Sequence, residues 1–215
     1  MSRLMMLCDL DGTLIANDNE IFTMEASRVF LKLGLAIPPS QLTAAIERGD
    51  IFEALPQELP NGDEIRQLFW NMYDPTQEPE PKIFPGVHRT LLDWKNAGHR
   101  AVLVTARRTT RRDLFQILER VKLTYLIEDV FCQSAQAIVN LDKVDLFSTV
   151  MKRCALVTSR TLVVGDTPTD MRSAQICKIP NRIAVLSGGY PEDKLLDSGA
   201  TRVGRSISQP GLLAL

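Results

Sequence analysis

The sequence predicts an α/β fold: a doubly wound (Rossmann-like) parallel sheet with a small all-helical domain inserted after its first strand. Three observations carry this expectation. From residue 84 onward, short apolar runs of strand length alternate with amphipathic segments of helical period, the pattern of a parallel sheet covered by helices on both faces. Between residues 16 and 82 no strand candidate occurs, only helical spacing. One further strand candidate stands alone ahead of that stretch, at the N-terminus. The simplest division is a core of residues 1–15 and 83–215 with residues 16–82 as a helical insertion.

In chain order, the first strand spans residues 3–9 and contains Leu4-Met5-Met6-Leu7-Cys8; Gly12-Thr13 breaks it. Asn17-Asp18-Asn19 offers N-cap chemistry for a helix over 20–33, where Ile21, Met24, Val29, Leu31 and Leu33 are apolar and Gly34 is the stop. Pro38-Pro39-Ser40 opens a second helix with Leu42, Ala45 and Ile46 on one face. A short piece over 51–55 and a break at 56–62 precede a helix over 63–73, whose Phe69, Trp70 and Met72 are expected in the core of the insertion. The Pro- and Glu-rich segment 74–81 reads as an exposed linker. Beyond it, strands are predicted at 100–105, 128–132, 161–165 and 182–186, with a weak edge strand at 201–203. Helices are predicted to about Asn96 and at 111–121, 143–154 and 169–176.

The chain has 215 residues, 45% of them hydrophobic and 24% charged, with a formal net charge of −1. That balance gives no electrostatic reason to expect nucleic acid or an anionic membrane as partner. No apolar run approaches the ~20 residues that span a bilayer, and Asp9 and Asp11 interrupt the N-terminal run, so no signal peptide is expected. Cys8, Cys132, Cys154 and Cys177 lie far apart with no C-x-x-C pairing. They read as reduced thiols of a cytoplasmic protein, a monomer or homodimer.

Ligands of open α/β sheets gather at the carboxyl ends of the strands. Asp9 and Asp11 follow the first strand, on one side for as long as strand alternation persists. Two carboxylates so close repel, and a divalent cation would relieve them; alone, D-x-D-G also fits a turn or part of a calcium loop. Thr105 ends the strand at 100–105, and Gly165-Asp166-Thr167-Pro168-Thr169-Asp170 follows the strand at 161–165. Hydroxyls can bind phosphate oxygens, and carboxylates suit a small hard cation such as Mg²⁺. Taken singly, each group has a plainer reading. Thr105 could satisfy a backbone group, Asp166 could be an N-cap, and Asp170 a favourable first-turn charge. Lys143 could be a solvated lysine, and Arg107–Arg112 a solvated helix start. His88 and His99 read as surface or helix-end residues.

Together these residues resemble the four motifs of the haloacid dehalogenase-like phosphotransferases, over essentially the whole chain. Asp9-Leu10-Asp11-Gly12-Thr13 is similar to the first motif, Leu103-Val104-Thr105 to the second, and Gly165 to Asp170 to the fourth. The third needs a basic residue at a helix start, for which Lys143 is chosen and Lys152 is the fallback. The family often has Pro after this lysine, whereas Val144 stands here. The insertion and Phe84-Pro85-Gly86-Val87 resemble the phosphoglycolate phosphatase and phosphoglucomutase-like branch, in which a helical cap follows the first motif.

The resemblance implies a Mg²⁺-dependent phosphatase of small-molecule phosphate monoesters. Asp9 would be the nucleophile, Asp11 the acid and base, and Thr105 and Lys143 the holders of phosphate. The implied metal set is Asp9, Asp11 through its backbone carbonyl, Asp166 and Asp170, with Asp170 orienting Lys143 or a metal-bound water. Thr105, Ala106 and Lys143 would bind the substrate's phosphate; as a separate expectation, Arg107 or Arg108, which closely follow the second motif, would contact an anionic part of the substrate. A sugar phosphomutase and a catalytically silent binding module are the alternatives. A dehalogenase has no need of Asp11. The family commonly has Ala-Gly before Ile after the fourth motif, where Cys177-Lys178-Ile179 stands here; a missing glycine at a left-handed position would cost about 1 kcal/mol.

Overall fold

Successive residues of β1 (Met5–Cys8) go to opposite sides of a sheet. Met6 and Cys8 pack with Leu91, Leu103 and Val164, while Met5 and Leu7 pack with Val102, Val163 and Met171. A strand buried on both faces reads as an unbroken apolar run, which is why this one was legible without alternation. The computed structural model describes residues 3–16, 19–47, 51–56, 62–73, 81–133 and 142–214. Asn17, Asp18 and all but Pro81 of the expected linker fall outside these residues.

The main sheet has six strands in the order β5-β4-β1-β6-β7-β8. They are β4 (Arg100–Arg108), β5 (Val130–Gln133), β6 (Thr161–Gly165), β7 (Asn181–Val185) and β8 (Arg202–Gly204) around β1. All five pairings are parallel. Helices α4 (Val87–Asn96), α5 (Arg111–Arg120), α6 (Val144–Arg153), α7 (Pro168–Ile176) and α8 (Glu192–Asp197) connect them. The chain builds one half of the sheet outward from β1 through β4 to β5, then the other half from β6 to β8. The order therefore reverses at β1, where such sheets bind ligands. The predicted doubly wound parallel core is the one observed.

The chain divides into two compact units, residues 1–16 with 81–215 and residues 17–80. At the boundary, β2 (Ile15–Ala16) pairs antiparallel with β3 (Lys82–Ile83), Ala16 opposite Lys82. The second unit holds α1 (Asn19–Lys32), α2 (Pro39–Glu47), a short 3₁₀ turn at Ile51–Ala54 and α3 (Gly62–Met72). Its core gathers Ala26, Val29, Phe30, Leu42, Phe52 and Phe69, with Phe30 and Phe69 ring centroids 4.7 Å apart. Among the described residues no helix is long and apolar enough to cross a membrane.

Several element limits differ from expectation for physical reasons. β1 stops at Cys8, so strand alternation does not place Asp11; a tight loop does. β4 runs on to Arg108 through a register shift against β5 between Val104 and Arg108. The buried stripe of α1 is Ala26, Val29 and Phe30, which leaves Met24 and Leu31 exposed. Met72, expected in that core, is also exposed. Asp166 is not a helix cap: α7 starts at Pro168, with Thr167 and Asp170 forming a reciprocal capping box.

Three helices of the core end in a left-handed residue that is not glycine: Lys122 after α5, Ala155 after α6 and Lys178 after α7, with φ of 58°, 48° and 57°. At Lys178 the turn closes as glycine would close it, since Ile179 N–H donates to the Ala174 carbonyl at 3.0 Å. Lys178→Gly is expected to stabilise the protein by about 1 kcal/mol in urea unfolding; a loss of stability would show that the lysine side chain contributes more than its backbone costs.

Candidate active site

Beyond Cys8 the chain keeps one more rung of ladder, Asp9 N–H donating to the Val164 carbonyl at 2.9 Å, and then folds back. The amides of Leu14 and Ile15 both donate to the Leu10 carbonyl, at 2.8 and 3.0 Å, and Gly12 turns the corner at φ 73°. Leu10 and Leu14 are fully buried beneath this loop. The loop thereby fixes Asp9 at the strand end and carries Asp11 and Thr13 along its rim.

Asp166 and Asp170 arrive from the end of β6 and the first turn of α7. Asp9, Asp166 and Asp170 each offer one oxygen, and these lie within 4.8 Å of one another. All three are buried, at 6%, 3% and 1% exposure, and so is Lys143 at 3%. Lys143 Nζ reaches Asp9 Oδ1 at 2.7 Å and Asp170 Oδ1 at 2.6 Å. Asp170 divides its oxygens: Oδ2 accepts from the Thr167 hydroxyl at 2.7 Å and the Thr167 amide at 3.1 Å. Asp166 Oδ1 accepts from the Thr13 hydroxyl at 2.8 Å.

One ammonium among three buried carboxylates leaves an excess of negative charge in a poorly solvated place. Burial pushes the Asp9 carboxyl up from its ordinary 3.8 to about 7, against Lys143 and with the nearby charges of Asp170 and Asp11 adding to the rise. Asp166 is raised well above the ordinary value by burial, Asp9 and Asp170. Burial disfavours the charged Lys143, but Asp170 and Asp9 outweigh it and its pKa rises. Buried carboxylates with an unmet electrostatic need and hard oxygen donors fit a Mg²⁺ ion.

Asp11 is held differently. Arg107 grips its carboxylate with both arms, Nε to Oδ2 and an Nη to Oδ1, each at 2.6 Å. This bidentate pair is the strong form of an ion pair. The Arg107 amide also donates to Thr105 Oγ1 at 3.1 Å, which ties Thr105 (buried) and Ala106 (half-buried) into the same corner. The acidic group that offers metal ligands thus consists of Asp9, Asp166 and Asp170, while the Asp11 side chain belongs to the Arg107 pair. Lys152, the alternative to Lys143, is exposed. Of the remaining arginines, Arg111 pairs with Asp129, Arg112 is exposed, and the side chain of Arg108 lies outside the described residues. His88 meets the Tyr125 hydroxyl at 2.5 Å, and His99 accepts from the Leu4 amide at 3.3 Å.

Sequence reasoning singled out Gly12 as a break but missed Ser187 and Gly188, which shape this site with it without bearing its chemistry. A Cβ at Gly188 would lie 1.8 Å from Asp166 Oδ2, and one at Gly12 would lie 2.3 Å from the same oxygen. Ser187 Oγ donates to the Gly12 carbonyl at 2.6 Å and locks the two turns together. The Gly188-Gly189 pair was a visible turn signal, though nothing in one sequence aims it at Asp166.

The chain matches the family model described as haloacid dehalogenase-like hydrolase over residues 6–184. It belongs to that family. No curated protein matches the chain in sequence. Among solved structures, a haloacid dehalogenase-like family protein from Streptococcus pneumoniae superposes with a TM-score of 0.72 at 18% identity, over 95% of each chain. A predicted phosphatase from Clostridium acetobutylicum gives 0.72 at 21% identity, over 96% of this chain and 95% of the other. A protein described provisionally as a phosphoglycolate phosphatase, from Lactobacillus delbrueckii, gives 0.71 at 14% identity over 96% of each chain. At such identities these likenesses speak for the fold. All three members of the acidic group, Asp9, Asp166 and Asp170, lie within the residues that the family match covers.

Proposed function

We propose that this haloacid dehalogenase-like hydrolase is a cytoplasmic, Mg²⁺-dependent phosphatase of a small-molecule phosphate monoester, working through an aspartyl-phosphate on Asp9. The observation that carries the reading is the buried group of Asp9, Asp166 and Asp170 balanced by one lysine. Asp9, Asp166 and Asp170 would hold Mg²⁺, with the backbone carbonyl of Asp11 as a further ligand; the ion would offset charge on the phosphate.

In the first step an Asp9 oxygen attacks phosphorus and the ester P–O bond breaks, its electron pair leaving with the alcohol oxygen. Asp11 gives that oxygen a proton. In the second step Asp11 takes a proton from water, whose oxygen attacks phosphorus and frees phosphate and Asp9. Thr105, Ala106 and Lys143 would hold phosphate oxygens, and Lys143 also offsets charge. Arg107 keeps Asp11 oriented in the absence of substrate, and an anionic part of the substrate would compete for its guanidinium. The helical unit of residues 17–80 would act as the cap that selects substrate and excludes water.

Purified protein is expected to release phosphate from members of a broad phosphate-ester panel only with Mg²⁺. Mg²⁺ at 100 times its dissociation constant should add about 2.7 kcal/mol to stability. In the same panel Arg107→Ala should raise KM most for esters bearing a second anionic group. Failure to hydrolyse any ester would revive the binding-module reading, and an unchanged KM throughout would remove Arg107 from the substrate contacts.

A further inference from the structure

Lys143 is the N-cap of α6, at φ −100° and ψ 11°, and no side chain of its own caps the helix. The first amides of a helix have no partner within it, and here two of them are taken from outside. Val144 N–H donates to Asp142 Oδ1 at 2.7 Å. Lys143 N–H donates to Ser173 Oγ at 3.0 Å, and Ser173 Oγ in turn donates to the same Asp142 Oδ1 at 2.9 Å. Ser173 is 1% exposed and sits on α7, three residues beyond Asp170. Residues three apart share a helix face.

One face of α7 therefore holds Lys143 at both ends: Asp170 takes the ammonium and Ser173 takes the backbone. A proline after such a lysine carries no N–H and fixes φ at the helix start. Val144 does carry an N–H, and Asp142 accepts it. The Asp142 carboxylate and the Ser173 hydroxyl thus hold the start of α6 by hydrogen bonding. A lysine stem has several freely rotating bonds, so its ammonium stays between two carboxylates only while its backbone is fixed.

We infer that Ser173 and Asp142 are positioning residues that fix Lys143 between Asp9 and Asp170. What the lysine does there rests on the proposed phosphatase reading; where it sits does not. A serine that only completed a helix start would leave the ammonium undisturbed when removed.

The test follows the ammonium itself. In ¹⁵N-labelled, metal-free protein, Nζ–H groups held by two carboxylates and shielded from water should give a slowly exchanging signal, identified by its loss in Lys143→Arg. Ser173→Ala and Asp142→Ala are each expected to speed its solvent exchange by about tenfold or more, the scale at which partners behind a site ligand act. Ser173→Thr should preserve it, and amide signals far from α6 should not move. With Mg²⁺ and p-nitrophenyl phosphate, Ser173→Ala should lower kcat by a similar factor with little change in KM, and Ser173→Thr should restore it. Asp142 is exposed, so its variant keeps the test open should Ser173→Ala fold poorly. Ammonium exchange unchanged in Asp142→Ala and in any folded Ser173→Ala would overturn the inference. A wild-type protein that hydrolyses no ester while its ammonium still depends on Ser173 would remove the phosphatase reading and leave the positioning intact.

Discussion

Asp9→Asn is expected to abolish phosphate release, lowering kcat by about 10⁴-fold or more, the scale of losing a nucleophile. An amide oxygen is a poor nucleophile and gives no stable phosphoryl ester, so no neighbouring carboxylate can rescue the step at that position. The expectation is separable from misfolding. Asp9 carries a buried charge whose pKa is pushed up to about 7 by burial, so its neutral isostere relieves repulsion with Asp166 and Asp170. The variant should therefore be at least as stable as the wild type without metal, by urea unfolding, while turning nothing over. Substantial Mg²⁺-dependent turnover in a folded Asp9→Asn protein would exclude Asp9 as the nucleophile.

Lys143→Met should be the most damaging change to stability. It leaves Asp9 and Asp170 facing one another without the ammonium that pairs with both; removing one partner of a buried ion pair costs about 3–5 kcal/mol. The loss should depend on pH in a defined direction. Asp9 and Asp166 have folded pKa values raised above the ordinary 3.8. Stability from their protonation is complete below that value and is lost as pH rises through about 7 for Asp9. The variant should thus be close to wild type in EDTA at pH 5 and far below it at pH 8, and Mg²⁺ should narrow the gap at pH 8. Equal stability of the two proteins in EDTA at pH 8 would mean that the ammonium offsets nothing.

The legible parts of this molecule were those that one short segment determines. β1 could be read because burial on both faces forces an unbroken apolar run, and Asp9 because it closes that run. Asp166 could be read because it closes the apolar run of β6, whereas the cap of the next helix belongs to Thr167 and Asp170 and not to Asp166. What could not be read needs two distant segments at once. The Asp11–Arg107 pair spans 96 positions of sequence and depends on β4 running past Thr105 through a register shift. Ser173 is an ordinary small helical residue until α6 is laid beside it, and Gly188 an ordinary turn glycine until Asp166 is. α8 escaped notice because six residues give too little periodicity to register against a polar background.

The rung between Ala16 and Lys82 has a consequence for how this protein can change. Antiparallel partners stand about 5 Å apart, so everything from residue 17 to residue 81 departs from and returns to nearly one point. To the sheet, that whole stretch is no different from the tip of a hairpin, and closing a hairpin costs little more for a long loop than for a short one. The piece is an exchangeable cassette. It can be shortened, rebuilt or swapped with no strand re-ordered, while Asp9, Asp166, Asp170 and Lys143 keep their places on the other side of the rung.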